Sequence, residues 1–458
     1  MPTILGANTL SSGYDVDNSL RVDRNSGDYL TRNESQDQSD GKKITISIWF
    51  KVGAHLGTTR YFFGGHADGS YTNEIGITSN NQLNFSCVAN GTNQVTTSRY
   101  FRDPSAWYHV VAVFDSTEGT STDRIKLYIN GTQETNFASS SYPSENAVTE
   151  YLKNGGVTRV GDKGSGGNNW DGYLAEIFVL DGQALTPSSF GEFDEDTPTV
   201  WKPKDCKDDL TFGNNGFYLD FKDSSNLGND ASSNASDFSA NNIAAVNQST
   251  DTCTNNFATI NPLYAGLNAN ESIAEGNLKG LNTGNGENNY VSTIGVSSGK
   301  WYFEAKANVA GDNYATIGIV ATDSLLQVNG SWLGSTSDSY FYNENGSIGT
   351  NGSASTTGLA SYTDDDIIGV RVNLDDNELH FYKNGTIITN TALSITADKE
   401  YFFGGRVYSN ATGWEFNFGS PPYTISSGNS DGNGYGNFEY SVPSGYYALN
   451  TKNLAEYG

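Results

Sequence analysis

The hydrophobic and polar positions of this 458-residue chain alternate over short runs rather than over helical turns. Apolar side chains occupy every second position in Ile125–Ile129 and again from Ile368 to Leu374, where Arg371 and Asn373 fall on the opposite face. A period of two is typical of a strand with one buried face. Trp107–Asp115 is apolar on both faces, which predicts a strand in the middle of a sheet. Helical spacing is not sustained over any long stretch, so the pattern predicts an all-β protein.

Each half of the chain also contains an Asn-Gly pair directly after an alternating run. These pairs are Asn130-Gly131 and Asn384-Gly385. A type I′ turn holds both central residues at positive φ, and Asn-Gly tolerates this conformation well. Both pairs are therefore predicted to be β-hairpin turns.

Composition supports strands and turns and excludes some partners. Aromatic residues make up 12% of the chain, Gly occurs 52 times and Met once. The formal net charge of −26 would repel phosphate backbones, so nucleic acid is not expected as a partner. The longest apolar run, Val110–Phe114, is far shorter than the roughly 20 residues that span a bilayer, so no membrane insertion is expected.

The motifs of the first half follow one another in a recognisable order. After the opening DNSLRV and GDYLTRN come ISIWFK, WYHVVAVFD, IKLYINGTQ and the closing GGVTRVGDKGSGGNNWDGYLAEIFVLDGQALTPSSF. Over about residues 15–195 the chain thereby resembles a laminin-G-like, concanavalin A-type jelly roll. The resemblance implies two antiparallel sheets stacked face to face, as in lectins and pentraxins.

A different set of motifs marks the second half. GKWYFEA, DDDIIGVRVNLDDNELHFYKNGT, YFFGGRVYS and WEFNFG resemble the SPRY (B30.2-like) sandwich over about residues 276–450. In that family, loops at one end of the sandwich bind partner proteins or peptides. We therefore predict two antiparallel β-sandwich domains of the jelly-roll type, at 1–200 and 276–458.

Residues 201–275 are rich in Asn, Ser, Asp and Ala and contain one alternating strand, Phe217–Phe221. They are predicted to be a polar connector, ordered as a strap because structureless runs of this length are uncommon. The segment TNNFATINPL (254–263) resembles a connector in virion proteins of marine tailed phages, which join the same two modules. This resemblance implies a protein of the virion surface.

Candidate catalytic groups are few. Glu192, Asp194 and Asp196 would share one face of an extended strand, as two-carboxylate glycoside hydrolysis requires. They follow the last jelly-roll motif, however, so a solvated acidic connector is the favoured interpretation. His109 and His380 lie on predicted strands and are interpreted as hydrogen-bonded structural residues. We therefore predict that the protein is not an enzyme.

Calcium is the cofactor that the resemblance raises, because laminin-G-like and pentraxin-like sandwiches often carry it at one rim. Asp162 and Asp171 flank the glycine-rich loop Gly164–Gly167 and offer the hard carboxylate oxygens that Ca²⁺ prefers. Aspartates also cap turns without any metal. Both interpretations stay open at this stage.

Glycan binding requires exposed aromatic rings that stack on sugar faces. The rings in or beside polar loops are Tyr71, Trp170, Trp332, Tyr340, Tyr342, Tyr408 and Trp414. Most such rings in sandwiches pack in the core or at its edge. The candidate ligand-binding residues are Trp170, Trp332, Tyr340 and Trp414, with Trp170 and Trp332 first.

The three cysteines lead to two expectations. Cys87 lies in an alternating run and is predicted to be a buried thiol. Cys206 and Cys253 flank the middle of the chain, and their pairing stays open because the sequence does not show whether their Cα atoms approach each other.

Together these features predict a non-catalytic virion surface protein of a tailed phage, a fibre, spike or head decoration that binds host-surface glycans or proteins or neighbouring virion proteins. No signal peptide is visible, so the expected localisation is the virion, after synthesis in the host cytoplasm. The alternatives are a purely structural capsid or tail decoration, a glycan-cleaving enzyme of concanavalin-type fold, and a bacterial adhesin. Assembly as a homo-oligomer stays open.

Overall fold

The structure is a computed structural model and describes residues 13–54, 57–66, 73–164, 168–264, 266, 270–325 and 331–458. The chain divides into two compact units between Thr254 and Asn255. We call them the N-terminal unit and the C-terminal unit. None of the helices in the described ranges is both long and apolar enough to cross a membrane.

The N-terminal unit is built from strands, with short 3-10 turns at Ser121–Asp123, Pro187–Ser189, Lys207–Asp209 and Ala245–Asn247. Its strands are β1 (Ser19–Val22), β2 (Tyr29–Asn33), β3 (Lys43–Val52), β4 (Arg60–His66), β5 (Asn73–Ile77), β6 (Gln82–Val88), β7 (Thr92–Tyr100), β8 (Trp107–Asp115), β9 (Ile125–Ile129), β10 (Thr132–Glu134), β11 (Phe137–Ser141), β12 (Val157–Val160), β13 (Gly172–Asp181), β14 (Gly191–Phe193), β15 (Trp201–Pro203), β16 (Phe217–Leu219), β17 (Ser239–Asn241) and β18 (Gln248–Ser249).

Strands β14 and β15 pair with each other as a two-stranded sheet, and the other strands form two larger antiparallel sheets with a core between them. The front sheet has the order β10-β9-β8-β3-β13-β1-β18, with β16 paired to β13, and the back sheet has the order β11-β7-β6-β5-β4-β12-β2-β17. Alternate residues of β3, such as Ile46 and Phe50, pack in this core with Phe62 and Ile75 of the back sheet. The predicted all-β sandwich is confirmed.

The central position predicted for Trp107–Asp115 is also confirmed, because β8 pairs with β3 on one side and β9 on the other. Its residue Val110 packs in the core between the sheets. Its neighbour Val111 points to the outer side of the front sheet and packs there with Phe178 and Tyr218. A strand with two apolar faces therefore needs a covering layer on each face.

Residues 201–254, predicted as part of a connector, supply that outer layer and belong to the N-terminal unit. Trp201 and Cys253 pack with Trp49 and Trp107 on the outer side of the front sheet. A buried ion pair joins Lys51 Nζ to Asp251 Oδ2 at 2.7 Å, with both side chains fully buried. The segment is ordered because it covers apolar side chains that water would otherwise contact.

The cysteines are three buried free thiols. Burial raises the pKa of the Cys87 thiol to about 12, in agreement with the prediction for this residue. Cys206 packs with Phe212 and Tyr218, whereas Cys253 packs with Trp49 and Trp107. The two thiols therefore lie in separate apolar clusters and are not joined.

The C-terminal unit is a second sandwich with two short helices, α1 (Thr322–Leu325) and α2 (Thr451–Tyr457). Its strands are β19 (Glu271–Ala274), β20 (Lys279–Asn282), β21 (Asn288–Val296), β22 (Lys300–Asn308), β23 (Thr316–Ala321), β24 (Ser339–Asn343), β25 (Ser347–Thr350), β26 (Ser353–Thr356), β27 (Ile367–Asn373), β28 (Glu378–Lys383), β29 (Thr386–Ile387), β30 (Leu393–Ser394), β31 (Tyr401–Val407), β32 (Gly413–Asn417) and β33 (Tyr447–Ala448).

One sheet of this unit has the order β19-β20-β32-β22-β27-β28-β29, and the facing sheet has the order β21-β31-β23-β24-β25-β26. In the first sheet β30 pairs with β28, and β33 pairs with β22 in the parallel direction. The unit begins earlier than the predicted 276, because Phe257 is buried with Tyr302 and Phe438. The proposed connector is thus divided between the two units.

Both predicted hairpin turns are present. Asn130 and Gly131 have φ of 46° and 77°, and Asn384 and Gly385 have φ of 48° and 74°. A β-carbon added to Gly131 would lie 2.3 Å from the ring of Trp201, so this position also lacks space for a side chain. A β-carbon added to Gly385 would lie 2.5 Å from the ring of Tyr440. Each turn therefore needs glycine both for its backbone conformation and for packing.

Candidate functional site

Three of the four candidate ligand-binding rings are buried, which corrects those predictions. Trp170 is fully buried, and its ring meets Phe62 edge-on with 5.0 Å between centroids. Trp414 and Tyr340 are 1% and 3% exposed. Their apolar bodies fill the sandwich cores, so they cannot stack on a sugar. Of the other rings considered, Tyr342 is fully buried, and Tyr71 lies outside the described residues.

Trp332 is the exception among the four, because it is only partly buried and has exposed aromatic neighbours. Tyr314 and Tyr408 are 51% and 38% exposed. We call Glu287, Tyr314, Trp332, Arg406 and Tyr408 the aromatic–arginine cluster. It lies at one end of the strands in the sheet β21-β31-β23-β24, where β21 and β23 begin and β31 ends.

The rings of the cluster lie close enough to act together. The centroids of Tyr314 and Tyr408 are 5.3 Å apart, with their planes tilted by 59°. The guanidinium carbon of Arg406 lies 5.6 Å from the Tyr314 ring and 4.9 Å from the Trp332 ring. A cation within about 6 Å of an aromatic centroid is attracted to the ring face. The guanidinium of Arg406 therefore lies within cation–π distance of both the Tyr314 and the Trp332 ring.

Arg406 is itself fixed by hydrogen bonds. Its Nε and Nη2 donate to the two carboxylate oxygens of Glu287 at 2.5 and 2.7 Å, and Nη1 donates to the backbone oxygen of Tyr314 at 2.8 Å. A bidentate arginine–carboxylate pair fixes orientation as well as charge. Its charge is balanced locally, so the cluster presents aromatic surface rather than net charge.

The buried carboxylate of Asp312 anchors the two loops that carry the exposed tyrosines. Its Oδ1 accepts from the backbone nitrogen of Tyr314 at 3.0 Å, and its Oδ2 accepts from the backbone nitrogen of Tyr408 at 2.8 Å. Oδ2 also accepts from Ser409 N and Thr412 Oγ1 at 2.9 and 2.7 Å. These bonds position the rings before any ligand arrives, which lowers the entropic cost of binding.

Asn289 positions the third ring in a similar way. Its Oδ1 accepts from the backbone nitrogen of Leu333, and its Nδ2 donates to the backbone oxygen of Ser331, both at 2.8 Å. Trp332 lies between these two residues. The amide therefore fixes the backbone that carries Trp332 on both sides.

A carboxyl group that changes charge near neutral pH lies beside the cluster. Burial raises the pKa of Glu344 to about 7; the negative charge of Asp312 raises it as well, while Arg406 lowers it. The backbone nitrogen of Glu344 donates to Ala315 O at 3.2 Å, next to Tyr314. At neutral pH this group can donate or accept a proton at the edge of the aromatic surface.

The two aspartates considered for calcium do not fit the metal. Asp162 Oδ2 accepts from Arg159 Nη1 at 2.6 Å and from the Gly164 backbone nitrogen at 2.9 Å. Asp171 is fully buried and its Oδ2 lies 3.6 Å from Arg24 Nε. A guanidinium beside each carboxylate would repel a divalent cation, which also needs about six oxygen ligands. Three residues of the glycine-rich loop, 165–167, lie outside the described ranges, and no group of three or more His, Cys, Asp or Glu suited to a metal is found within those ranges.

A serine–histidine pair in the N-terminal unit has the hydrogen bonds of a structural contact. His109 Nε2 lies 2.8 Å from Ser47 Oγ, and Trp201 Nε1 donates to His109 Nδ1 at 2.9 Å. Because the indole can only donate, Nδ1 carries no proton and Nε2–H donates to the serine. Burial lowers the pKa of His109 to about 3, so the imidazole stays neutral. This arrangement gives Ser47 no base to activate it.

The acidic run predicted to be a solvated connector lies at the surface of the N-terminal unit. Glu192 and Asp194 lie 3.5 and 3.3 Å from the same ammonium group of Lys202. The chain then turns, because Asp194 Oδ1 accepts from the backbone nitrogens of Asp196 and Thr197 at 3.1 and 2.9 Å. The three carboxylates therefore do not continue along one extended strand.

Sequence reasoning found Trp332 and considered Tyr408, but it missed Tyr314, Arg406 and Asp312. Tyr314 stands in the polar segment Gly311–Tyr314, and an aromatic ring among such residues is a signal for exposure. Asp312 and Arg406 leave no comparable signal, because their role depends on partners far away along the chain.

Comparison with known proteins agrees with the two sandwiches. Residues 23–189 match a laminin-G type family described as the concanavalin A-like lectin/glucanases superfamily, and residues 300–421 match the SPRY domain family. The chain thus contains a concanavalin A-like domain followed by a SPRY domain. No curated protein sequence matches it.

Two solved structures illustrate the likeness. The SPRY domain of human HERC1 is 20% identical, and the match covers 30% of this chain and 87% of that one with a TM-score of 0.26. The native heptameric SAP-like pentraxin from Limulus polyphemus is 19% identical, and the match covers 38% of this chain and 80% of that one with a TM-score of 0.29.

Proposed function

We propose that this chain, which joins a concanavalin A-like domain to a SPRY domain, is a non-catalytic surface protein of a tailed-phage virion and binds host-surface glycans through the aromatic–arginine cluster. The two domain types fit a non-enzymatic binding protein. The observation that carries the glycan proposal is the exposed pair Tyr314 and Tyr408, held in place from beneath by Asp312.

The chemistry of the cluster suits a sugar. A pyranose ring has apolar C–H faces that stack on aromatic rings and an edge of hydroxyl groups that need donors and acceptors. Tyr314 and Tyr408 supply the rings, and their phenol groups both donate and accept. Glu287 and Arg406 lie beside them with their charges paired.

Electrostatics favour neutral glycans over polyanions. The chain carries a net charge of −26, and the arginine of the cluster is paired with a carboxylate. Binding should therefore depend little on salt, because attraction to an anionic polymer would need unpaired positive charge.

The virion part of the proposal rests on the sequence. The order of the two modules and the segment Thr254–Leu263 resemble virion proteins of tailed phages. Immunogold labelling of intact phage particles would test it, and we expect label on the head surface or the tail. Failure to detect the protein on particles would contradict this part alone.

The non-catalytic part is supported by the neutral, structurally bonded His109 and by the shared lysine of Glu192 and Asp194. Incubation of the protein with host polysaccharide should release no oligosaccharide detectable by mass spectrometry. Steady release would instead favour a glycan-cleaving enzyme.

The binding experiment uses the full chain on an array of host-envelope glycans, followed by titration calorimetry with the best ligand. We expect Tyr314→Ala to weaken binding about tenfold, the scale of losing one stacked ring. Tyr100→Ala is the matched control, because Tyr100 is 53% exposed but lies on β7 of the N-terminal unit. An array without signal, together with attachment of the protein to virions, would favour a purely structural decoration.

A further inference from the structure

We propose that the aromatic–arginine cluster selects glycans that carry an acetamido group, the N-acetyl substituent of an N-acetylhexosamine. This inference rests on the proposed glycan function and names the substrate class of the same site. It is carried by two exposed asparagines beside the rings, Asn285 and Asn410, which we call the amide pair.

The amide pair is held next to the exposed Tyr408 by hydrogen bonds between two loops. The backbone nitrogen of Gly286 donates to Tyr408 O at 2.9 Å. The fully buried side chain of Asn282 donates through Nδ2 to Tyr408 O and to Gly286 O, at 2.9 and 2.8 Å. Asn285 is the residue before Gly286. Asn410 stands two residues after Tyr408, so both amides lie beside the exposed ring.

One amide of the pair has a fixed orientation. The side-chain oxygen Oδ1 of Asn285 lies 3.0 Å from the backbone nitrogen of Asn410. Because a backbone nitrogen only donates, the atom that faces it is the carbonyl oxygen, and Nδ2 of Asn285 is left as a donor. Within the residues that the structure describes, this Nδ2 has no acceptor and the side chain of Asn410 makes no hydrogen bond. The pair therefore offers one fixed donor and a second amide that can both donate and accept.

An acetamido group matches the amide pair and the rings together. Its carbonyl oxygen can accept from Asn285 Nδ2, and its N–H can donate to the side-chain oxygen of Asn410. Its methyl group and the C–H face of the sugar are two apolar surfaces. Tyr314 and Tyr408 offer two rings to receive them, with centroids 5.3 Å apart and planes tilted by 59°. A hexose with hydroxyl groups alone has no methyl group for the second ring and no planar amide for the pair.

The charges of the site favour an amide over a carboxylate. The guanidinium of Arg406 is paired with Glu287, and the whole chain carries a net charge of −26. An acidic sugar would meet no unpaired cation among the residues of the cluster and would be repelled by the chain as a whole. An acetamido group is polar but uncharged, so its recognition needs no cation. The ligand class is therefore a neutral acetamido sugar.

Saturation-transfer difference NMR on the full chain tests this selection with two matched pairs of sugars: N-acetylglucosamine against glucose, and N-acetylgalactosamine against galactose. At least one acetamido sugar should bind about fivefold more tightly than its hydroxyl counterpart, the scale of one net hydrogen bond. Its acetyl methyl protons should receive the strongest transfer, because they contact a tyrosine ring. Titration of the same signals gives the two Kd values.

Asn285→Asp isolates the amide pair. It keeps the oxygen that accepts from Asn410 and replaces the Nδ2 donor by a second oxygen, so the preference for the acetamido sugar should disappear. Asn313→Asp is the matched control, because Asn313 is also exposed, adjoins Tyr314 and already donates through Nδ2 to Gly311 O at 3.4 Å. This control adds the same negative charge beside the same rings and should leave the preference intact. Unchanged melting temperatures would show that both variants are folded.

The inference is overturned if neither acetamido sugar shows transfer, if the two sugars of each pair bind equally, or if the preference survives Asn285→Asp. A loss of preference that is equal in Asn313→Asp would also overturn it, because charge alone would then explain the effect. Equal binding of the paired sugars that is lost in Tyr314→Ala would leave the proposed glycan function intact and remove only the acetamido selection. Absence of transfer to all four sugars, together with an array without signal, would contradict the proposed function as well.

Discussion

Asp312 and Tyr314 are joined by a hydrogen bond of 3.0 Å from the backbone nitrogen of the tyrosine to a carboxylate oxygen that is buried, while the tyrosine ring itself is half exposed. The other carboxylate oxygen accepts from the backbone of Tyr408. A buried acid thus determines where two surface rings stand. The exposed surface depends on it although the acid itself does not face solvent.

Replacing this acid by its amide is the direct test of that relationship. Asp312→Asn removes one of the two acceptor oxygens and leaves backbone donors unpaired, so we expect the C-terminal unit to lose about 1–3 kcal/mol. Glycan binding should weaken as well, because the tyrosine loops are no longer held. Thermal unfolding and titration calorimetry measure the two effects.

Asp365→Asn is the matched control for that change. Asp365 also lies in a turn of the C-terminal unit, but its side chain is 83% exposed, and a surface change of this kind is expected to stay within about 0.5 kcal/mol. Equal losses in the two variants would contradict the anchoring role of Asp312.

Replacement of Trp170 and of Trp332, the two tryptophans that the sequence favours as ligand contacts, should affect stability and glycan binding in opposite ways. Trp170→Ala leaves a cavity beside Phe50 and Phe62 and should destabilise the N-terminal unit by about 3–5 kcal/mol. Trp332→Ala should change stability far less and should weaken glycan binding. Melting curves and the glycan array together separate them, and a stable Trp170→Ala protein would show that the ring is not in the core.

The hairpin glycines allow each unit to be destabilised separately. Gly131→Val and Gly385→Val force a β-branched residue to positive φ, at a cost of about 1–3 kcal/mol each. The new side chains would also meet Trp201 and Tyr440, respectively. Scanning calorimetry should show a lower transition temperature for the affected unit only. Unchanged melting in both variants would mean that neither Asn-Gly pair forms the turn.

The N-terminal unit should lose stability as the pH rises. Burial raises the pKa of Glu176 to about 7, although the hydroxyl groups of Tyr14 and Tyr218 donate to its carboxylate. The folded state therefore holds a proton that the unfolded chain releases near its lower, ordinary pKa. The free energy of unfolding of this unit should fall by up to about 3 kcal/mol as the pH rises from about 4.5, and it should level off above about pH 7.

Glu176→Gln is the control for this effect. It keeps the size of the side chain and removes the titration, so the transition of the N-terminal unit should become less dependent on pH between 5 and 8. Urea unfolding at several pH values measures this. An N-terminal unit that becomes more stable over the same rise in pH would contradict the raised pKa.

Local pattern was sufficient for much of the fold. Alternation predicted the strands now seen as β9 and β27, the two apolar faces of Trp107–Asp115 predicted a central strand, and Asn-Gly predicted both turns. These features depend on residues within one strand or one turn, where the period of the side chains and the allowed φ values decide the structure.

The sites required tertiary structure. The sequence around a tryptophan beside a polar loop does not show whether the ring is buried, as in Trp170, or lies at the surface, as in Trp332. Likewise, the carboxylate of Asp171 suggests a calcium ligand in the sequence, but the fold places Arg24 beside it. The polar composition of residues 201–254 predicts a connector, although a few large side chains in this segment cover the front sheet. Sequence alone therefore determined the alternation of side chains along the strands and the position of the hairpin turns. Exposure and charge pairing were decided by contacts between residues distant in the chain, because burial and electrostatic interaction depend on distance in space.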